Sequence, residues 1–225
     1  MQLQSIRSIR QSELSRAAFE AVVRYGLRGT TLERVGEIAG VFKGVVLHHF
    51  KDKDLLLEAV FRRSNAMLSG TLVELYRHAE SPNERLWAIV LANFDSTIFN
   101  QQVCQAWVSL LAEVPHSAMC QRVQHACYNR ITSNLRRGLK HLTSPEDAHR
   151  IAELLGVLID GVWVRAGMSP KSIDSQLAID EFEYAITLML NCTATEIEKH
   201  QAARQKIQTI SDLVLKSRAF KLQEI

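Results

Sequence analysis

Aromatic side chains with acidic neighbours are concentrated in the middle of the chain, where all three tryptophans lie between residues 83 and 165. Aromatic faces attract quaternary ammonium ions, which cannot donate a conventional hydrogen bond, by about 0.5–2 kcal/mol each. A nearby carboxylate would offset the charge of such a cation. Five residues are therefore candidates for a cation-binding box: Phe94, Asp95, Trp107, Asp160 and Trp163. Aromatic residues on amphipathic helices are also ordinary core residues, so the sequence alone leaves both interpretations open.

A second constellation combines histidine and cysteine over residues 116–127. His116 and Cys120 are four positions apart and would share a helical face, as metal ligands can. His125 and Cys127 follow, the latter seven positions beyond Cys120. A zinc-binding or thiol-responsive sensor is therefore an alternative interpretation. Scattered structural cysteines and surface histidines are far commoner, so the sequence predicts no metal site and no cofactor.

Sequence motifs of catalysis and export are missing. There is no nucleophile elbow, HExxH or CxxC motif and no glycine-rich phosphate loop, so we expect a protein that is not an enzyme. No apolar run reaches the roughly 18 residues that span a bilayer, and no secretion signal opens the chain. Four cysteines at no disulfide-framework spacing predict free thiols in a reducing cytoplasm: Cys104, Cys120, Cys127 and Cys192.

The positive charge is confined to the first quarter of the chain. Residues 1–55 contain nine Lys/Arg and six Asp/Glu, a net charge of +3. The remaining residues contain 18 of each kind, so the formal charge of +3 for the whole chain arises entirely near the N-terminus. A basic N-terminal segment is weak evidence for a polyanionic partner, because a charge imbalance is often only a solvated face.

Helical periodicity predicts an all-α fold of about nine helices, with no strand pattern and only 4 Pro and 10 Gly. We expect a three-helix DNA-binding head over residues 1–52, a ligand-binding and dimerisation domain over 53–195, and an extension over 196–225. The extension has only a partial apolar stripe and predicts a loosely docked helix without an assigned function. The helices of the larger domain are expected near 54–79, 83–98, 101–113, 117–140, 146–167 and 174–192.

The N-terminal segment has the pattern of a helix-turn-helix. A first helix over 12–25 should stop at Gly26, and Thr30 with Glu33 has the spacing of a capping box for the second helix. Gly36 would admit a close helix crossing, and Gly40 suits the left-handed turn position that ends the second helix. A seven-residue third helix over 43–49 cannot persist alone, so its neighbours must hold it.

The stretch TTLERVGEIAGVFKGVVLHHFKDKDLLLEAV (30–60) resembles the signature of the TetR family of transcriptional repressors. In that family a threonine opens the second helix, a glycine lies inside the recognition helix, and "HF" closes it. The resemblance implies a homodimer that binds a double-stranded DNA operator through the motif at about 31–50. It also implies these DNA contacts: Thr31, Lys43, Gly44, Val45, Leu47, His48 and Lys53.

Particular chemistry is expected at these positions. Lys43 at the start of the recognition helix can reach a phosphate or a guanine edge, and Gly44 lets the backbone approach closely. Val45 or Val46 would contact a thymine methyl group while the other packs inward. His48 would bind a phosphate and Leu47 would make an apolar contact. Thr31 and Lys53 would flank the groove on phosphates.

A narrower resemblance runs from about residue 4 to 190 and is strongest at LIDGVWVRAGMS (158–169), which is similar to BetI-type repressors of this family. It implies a response to choline or another quaternary or hydrophobic cation, control of glycine-betaine synthesis genes, and dimerisation through the helices at 146–167 and 174–192. Three residues depart from the pattern. Phe42 replaces a capping Ser or Thr, Leu47 replaces a Tyr, and Leu111 stands where a second Trp is expected. The first two make the recognition helix more apolar.

Overall fold

The structure is a computed structural model that describes residues 6–96, 98–171 and 174–222, without the side chains of Ile6, Arg7, Lys53 and residues 215–222. Within those residues the regular structure is helical throughout, which confirms the predicted fold class. There are ten α-helices and a short 3₁₀ helix, Val114–His116. The α-helices are α1 (Ile6–Gly29), α2 (Leu32–Ala39), α3 (Lys43–His49), α4 (Lys53–Tyr76), α5 (Pro82–Phe94), α6 (Gln101–Leu111), α7 (Ala118–Leu139), α8 (Pro145–Met168), α9 (Ser175–Met189) and α10 (Ala194–Leu222).

Helix α1 extends beyond its predicted end but breaks at Gly26, where φ is +67° and ψ is 172°. The predicted capping box is wrong in its register. Thr31, not Thr30, is the N-cap of α2 and accepts a hydrogen bond from the Arg34 backbone N–H. Thr30 is buried, and its hydroxyl donates to the Gly26 carbonyl at 2.8 Å. The Thr30 hydroxyl is therefore bound to the end of α1 at the Gly26 break, and Thr31 caps α2.

The turn between α2 and α3 depends on two glycines. Gly40 has φ +66°, the left-handed conformation predicted for it, and its N–H is directed back at the carbonyls that end α2. A Cβ atom at Gly36 would lie 2.6 Å from the carbonyl oxygen of Val41. The close neighbour of Gly36 is thus the backbone of the turn, where a crossing helix had been expected.

Helix α5 lies at the centre of the larger domain. Every residue from Leu86 to Phe94 is buried, and α4, α7, α9 and α10 all pack against it. Helices α6 and α7 pack against α8, and α1 packs against both α4 and α6, so that the three-helix head is joined to the larger domain by a continuous core. Within the described residues, no helix combines the length and apolarity that crossing a membrane requires.

Helix α10 is firmly packed, contrary to the expected loose docking. Its inner face packs on α5 and α4. Arg204 forms ion pairs with Asp180 and Glu183 of α9, and Lys206 pairs with Glu80 and Glu84. The buried positions recur every three or four residues but are mostly small or polar, which explains why the sequence showed only a partial stripe: His200, Ala203, Ile207 and Ser211.

Candidate DNA-reading surface and ligand cavity

Helix α3 has one buried and one exposed side. Val46 and Phe50, just beyond the end of the helix, pack into the core, while Val45 is half-buried. Of the two valines considered for a thymine contact, Val45 is therefore the one on the outer side. The exposed residues are Phe42, Lys43, Gly44, Leu47 and His48. We call this set, together with Val45, the reading surface of α3.

The ammonium group of Lys43 has a partner within the chain. Its Nζ atom lies 2.5 Å from Oε1 of Glu33 on α2, and this contact lowers the pKa of the Glu33 carboxyl. Both side chains are about half exposed, so solvent screens the pair and it adds little to the stability of the fold. A DNA phosphate could replace Glu33 as the partner at little cost.

The flanking residues predicted to bind phosphate occupy different elements. Thr31 is exposed, and its hydroxyl oxygen accepts the Arg34 backbone N–H at 3.3 Å while its hydroxyl group donates to the Glu33 carboxylate. His48 lies edge-to-face with His49 at the end of α3, with ring centroids 5.3 Å apart. Lys53 is the first residue of α4, but its side chain lies outside the described part of the chain.

Gly44 differs from Gly36 in what surrounds it. A Cβ atom built at Gly44 would meet no atom of the chain within 4 Å. Its helical position favours alanine over glycine by about 1 kcal/mol. Nothing within the folded chain therefore requires glycine at this position, which agrees with a backbone that must come close to an external partner.

A cavity lies inside the larger domain and is bounded by α1 and α4–α8. Its volume is about 40 Å³, enough for roughly three water molecules. The lining is mainly apolar and contains no lysine, arginine or histidine. The lining residues are Phe19, Ser64, Met67, Leu68, Asn93, Ile98, Val103, Trp107, Leu110, Cys127, Ile131, Ile159, Asp160 and Trp163.

Three of the five residues predicted for the cation box line this cavity: Trp107, Asp160 and Trp163. The two tryptophan rings meet edge-to-face at 6.2 Å between centroids. Phe94 and Asp95 lie outside the lining. Phe94 points the other way and packs on Phe99 and Phe182, and Asp95 forms the C-cap of α5. Successive residues of a helix point about 100° apart, so closeness in sequence did not place these two side chains at the cavity.

Asp160 is the acidic side chain among the described residues that line the cavity. It is half-buried, and it has no hydrogen bond or ion pair within the described residues. Burial raises the pKa of its carboxyl above the usual value. An unpaired carboxylate among apolar walls is costly, and a cation in the cavity would reduce that cost.

Asn93 is a cavity residue that the sequence analysis missed. It is buried, its side-chain amide donates to the Ile89 carbonyl, and its backbone carbonyl accepts the indole N–H of Trp163 at 3.1 Å. This bond fixes the Trp163 ring in the cavity wall. The sequence did contain a signal for a special role of Asn93, because it is the only amide side chain in the apolar run from Leu86 to Phe94.

The histidine and cysteine constellation does not assemble. His116 and His125 are exposed, whereas Cys120 and Cys127 are buried. Among the described residues, no group of three or more histidine, cysteine or acidic side chains could hold a metal ion. Burial also raises the pKa of the Cys127 thiol, which disfavours the reactive thiolate. Within the described part of the chain, these four residues therefore do not form the zinc or thiol sensor considered from the sequence.

Helices α8 and α9 expose apolar side chains on their outer faces. Three apolar residues of α8 face the chain's own core and are not available to a partner: Ile151, Leu155 and Ile159. Other apolar residues of the two helices remain exposed in the single chain: Leu154, Val157, Met168, Leu177, Tyr184 and Leu188. Such a concentration on two adjacent helices is typical of an interaction surface.

Models of known protein families match both the N-terminal and the C-terminal part of the chain. Residues 14–60 match the model of bacterial regulatory proteins of the tetR family, and residues 82–191 match the BetI-type transcriptional repressor C-terminal domain. The HTH-type transcriptional regulator BetI of Burkholderia ambifaria is 34% identical over 186 residues, which cover 82% of this chain and 96% of that protein.

Solved structures agree on the fold. A transcriptional regulator from Rhodococcus sp. Rha1 has a TM-score of 0.68 at 23% identity and covers 80% of this chain and 94% of its own. A transcriptional regulator from Saccharomonospora viridis, solved in complex with choline, has a TM-score of 0.68 at 17% identity. The match covers 80% of this chain and 96% of that one. The chain belongs to the TetR family of DNA-binding transcriptional repressors and carries the BetI-type C-terminal domain.

Proposed function

We propose that this chain is a cytoplasmic, homodimeric repressor that binds a pseudo-palindromic operator through α3 and responds to a small quaternary ammonium cation such as choline. The observation that carries the proposal is Asp160, an unpaired carboxylate beside Trp107 and Trp163 in the cavity. The similarity to BetI-type repressors extends the proposal to genes that convert choline to glycine betaine.

The chemistry of the cavity selects among possible ligands. A quaternary ammonium ion needs aromatic faces and one negative charge, and it needs no hydrogen-bond acceptor. A zwitterion such as betaine brings its own carboxylate, which Asp160 would repel and for which the lining contains no basic side chain. Choline carries only the positive charge, and Ser64 or Asn93 is available to its hydroxyl group.

The size of the cavity favours a small ligand. A volume of about 40 Å³ is far below the 300–1,000 Å³ of typical drug-sized sites. A bulky hydrophobic cation would have to move several buried walls apart, whereas a trimethylammonium group requires the least movement. The choline bound to the structural neighbour from Saccharomonospora viridis supports the same ligand class.

The cavity is well placed to influence the DNA-binding head. Phe19 lies on α1 of the head, and Ser64, Met67 and Leu68 lie on α4, the helix that follows α3. A ligand that presses on these residues would change how the head sits on the larger domain. It can shift DNA binding only by the difference in its affinity for the DNA-bound and free conformations.

Operator recognition requires two copies of the chain. One seven-residue helix reads few base pairs, whereas a dimer presents two α3 helices to successive major-groove faces about 34–36 Å apart. The exposed apolar residues of α8 and α9 supply a surface for this dimer, since burying them would remove a large apolar area from water. Light scattering should give twice the mass of one chain.

Calorimetry tests the ligand assignment. The full chain is titrated with choline, betaine aldehyde, tetramethylammonium and betaine, alongside Asp160→Asn and the control Glu198→Gln, which changes an exposed carboxylate on α10. We expect the three cations to bind the unchanged chain and the control. Betaine should bind neither, and Asp160→Asn should lose at least tenfold in affinity for each cation. Equal binding of choline by Asp160→Asn would refute the cation site.

A further inference from the structure

Phe42 occupies an unusual position at the start of α3. Its side chain is 89% exposed, and it serves as the N-cap of the helix without any side-chain hydrogen bond. A serine or threonine cap typically stabilises a helix by about 1 kcal/mol relative to an apolar residue. The chain therefore lacks a side-chain cap here and exposes an aromatic ring to water, and no contact among the described residues compensates for either.

The position of Phe42 indicates where its ring is used. In a helix-turn-helix, the N-terminal residues of the recognition helix contact base edges in the major groove. Phe42 directly precedes Lys43 and Gly44 at that end, and Leu47, one turn further on, is 40% exposed. The reading surface of α3 thus has an apolar character that begins at its tip.

Phenylalanine and leucine cannot exchange hydrogen bonds with the bases. The one apolar group that bases present in the major groove is the 5-methyl group of thymine. We propose that Phe42, supported by Leu47, reads thymine methyl groups, so that each operator half-site carries thymine where the start of α3 enters the groove. This inference rests on the proposed use of α3 as the DNA-reading helix.

The test separates the methyl group from every other property of the base. The full chain first selects duplexes from a random pool, and each thymine of the selected site is then replaced singly by deoxyuridine, which lacks only the 5-methyl group. Affinity is measured by fluorescence anisotropy. We expect a loss of about threefold to fivefold at one or two positions of each half-site, the effect of removing one buried methyl group.

The variant Phe42→Ser tests whether Phe42 causes the loss of affinity for deoxyuridine duplexes. The variant restores a capping hydroxyl, so its thermal unfolding should occur at or above the temperature of the unchanged chain. It should bind the thymine and deoxyuridine duplexes equally at the position that Phe42 reads. Tyr25→Ser, an exposed aromatic residue on α1, is the control and should retain the full deoxyuridine effect.

Two results would overturn the proposal. If deoxyuridine is tolerated at every position while other bases are rejected, the methyl group is not read. If the deoxyuridine losses are the same in Phe42→Ser as in the unchanged chain, another residue reads the methyl group. Failure to select any sequence from the pool would instead overturn the DNA-binding role of α3, and this inference with it.

Discussion

The reading surface of α3 is built from residues within one short stretch of sequence, whereas the cavity collects residues from Phe19 to Trp163. In the first, a glycine turn and two buried apolar residues suffice to orient the helix. In the second, six helices must pack correctly before Asp160 meets the two tryptophans. A change in the chain should therefore damage the reading surface through local backbone geometry and the cavity through long-range packing.

Of the substitutions considered, Gly36→Ala should cause the largest loss of stability, and it acts on the turn that orients the reading surface of α3. Its Cβ would lie 2.6 Å from the Val41 carbonyl oxygen, so the turn before α3 must move. We expect a loss of about 3 kcal/mol in the free energy of unfolding, the upper part of the range for overpacking. Denaturant unfolding measures it. Unchanged stability would show that the turn adapts and that local geometry is less strict than the 2.6 Å approach indicates.

Trp163→Phe should cause the next largest loss of stability, and it acts on the wall of the cavity. The change leaves the buried Asn93 carbonyl without its indole donor, so we expect a loss of about 2 kcal/mol in unfolding free energy. Trp107→Phe is the control, because the Trp107 indole donates no hydrogen bond within the described residues. Thermal unfolding of both variants measures the difference. Equal losses would mean that the Trp163–Asn93 bond does not fix the wall.

The pH dependence of cation binding should sharpen the role of Asp160. Burial raises the pKa of this carboxyl, and a bound cation favours its ionised form. Cation affinity should be full above the raised pKa and should fall as the pH drops through it, approaching tenfold per pH unit. Calorimetry over a pH series that descends from neutral pH towards the ordinary pKa range of a carboxyl group measures this. Asp160→Asn should show a flat profile, and a sloping one would assign the effect to another group.

Gly44→Ala should give the smallest change, and with the opposite sign. The added methyl group meets no atom of the chain, and alanine favours a helix, so stability should rise by up to about 1 kcal/mol. DNA affinity should nevertheless fall, because the methyl group would lie between α3 and the groove. Unfolding and anisotropy experiments measure the two effects. Unimpaired DNA binding would remove Gly44 from the reading surface.

The helix-turn-helix could be predicted in detail because its determinants are local. The left-handed turn at Gly40, the short α3 and the family signature all follow from neighbouring residues. The capping threonine was misplaced by one position, because the break at Gly26 draws Thr30 into the preceding turn, and Gly36 lies against the turn backbone where a crossing helix had been expected. Local hydrogen bonding of this kind competes between adjacent residues, and spacing alone cannot decide it.

The cavity could be predicted only in part. Trp107, Asp160 and Trp163 were selected by residue type, but Phe94 and Asp95 were included for their nearness in sequence and face elsewhere. Asn93 and Phe19 were missed because their function depends on which helices meet. The firm packing of α10 was also missed, since small and polar residues such as Ala203 and Ser211 bury well only against a matching surface.

The sequence by itself determined the all-helical fold and the family, and it predicted which helix reads DNA, because periodicity, caps and turns act over a few residues. Only the tertiary structure decided which aromatic and acidic side chains share a cavity, which side of α3 faces outward, and that the Asp160 carboxyl has no partner among the described residues. Those properties depend on the packing of helices far apart in the chain, and burial against a distant surface leaves no fixed spacing in the sequence.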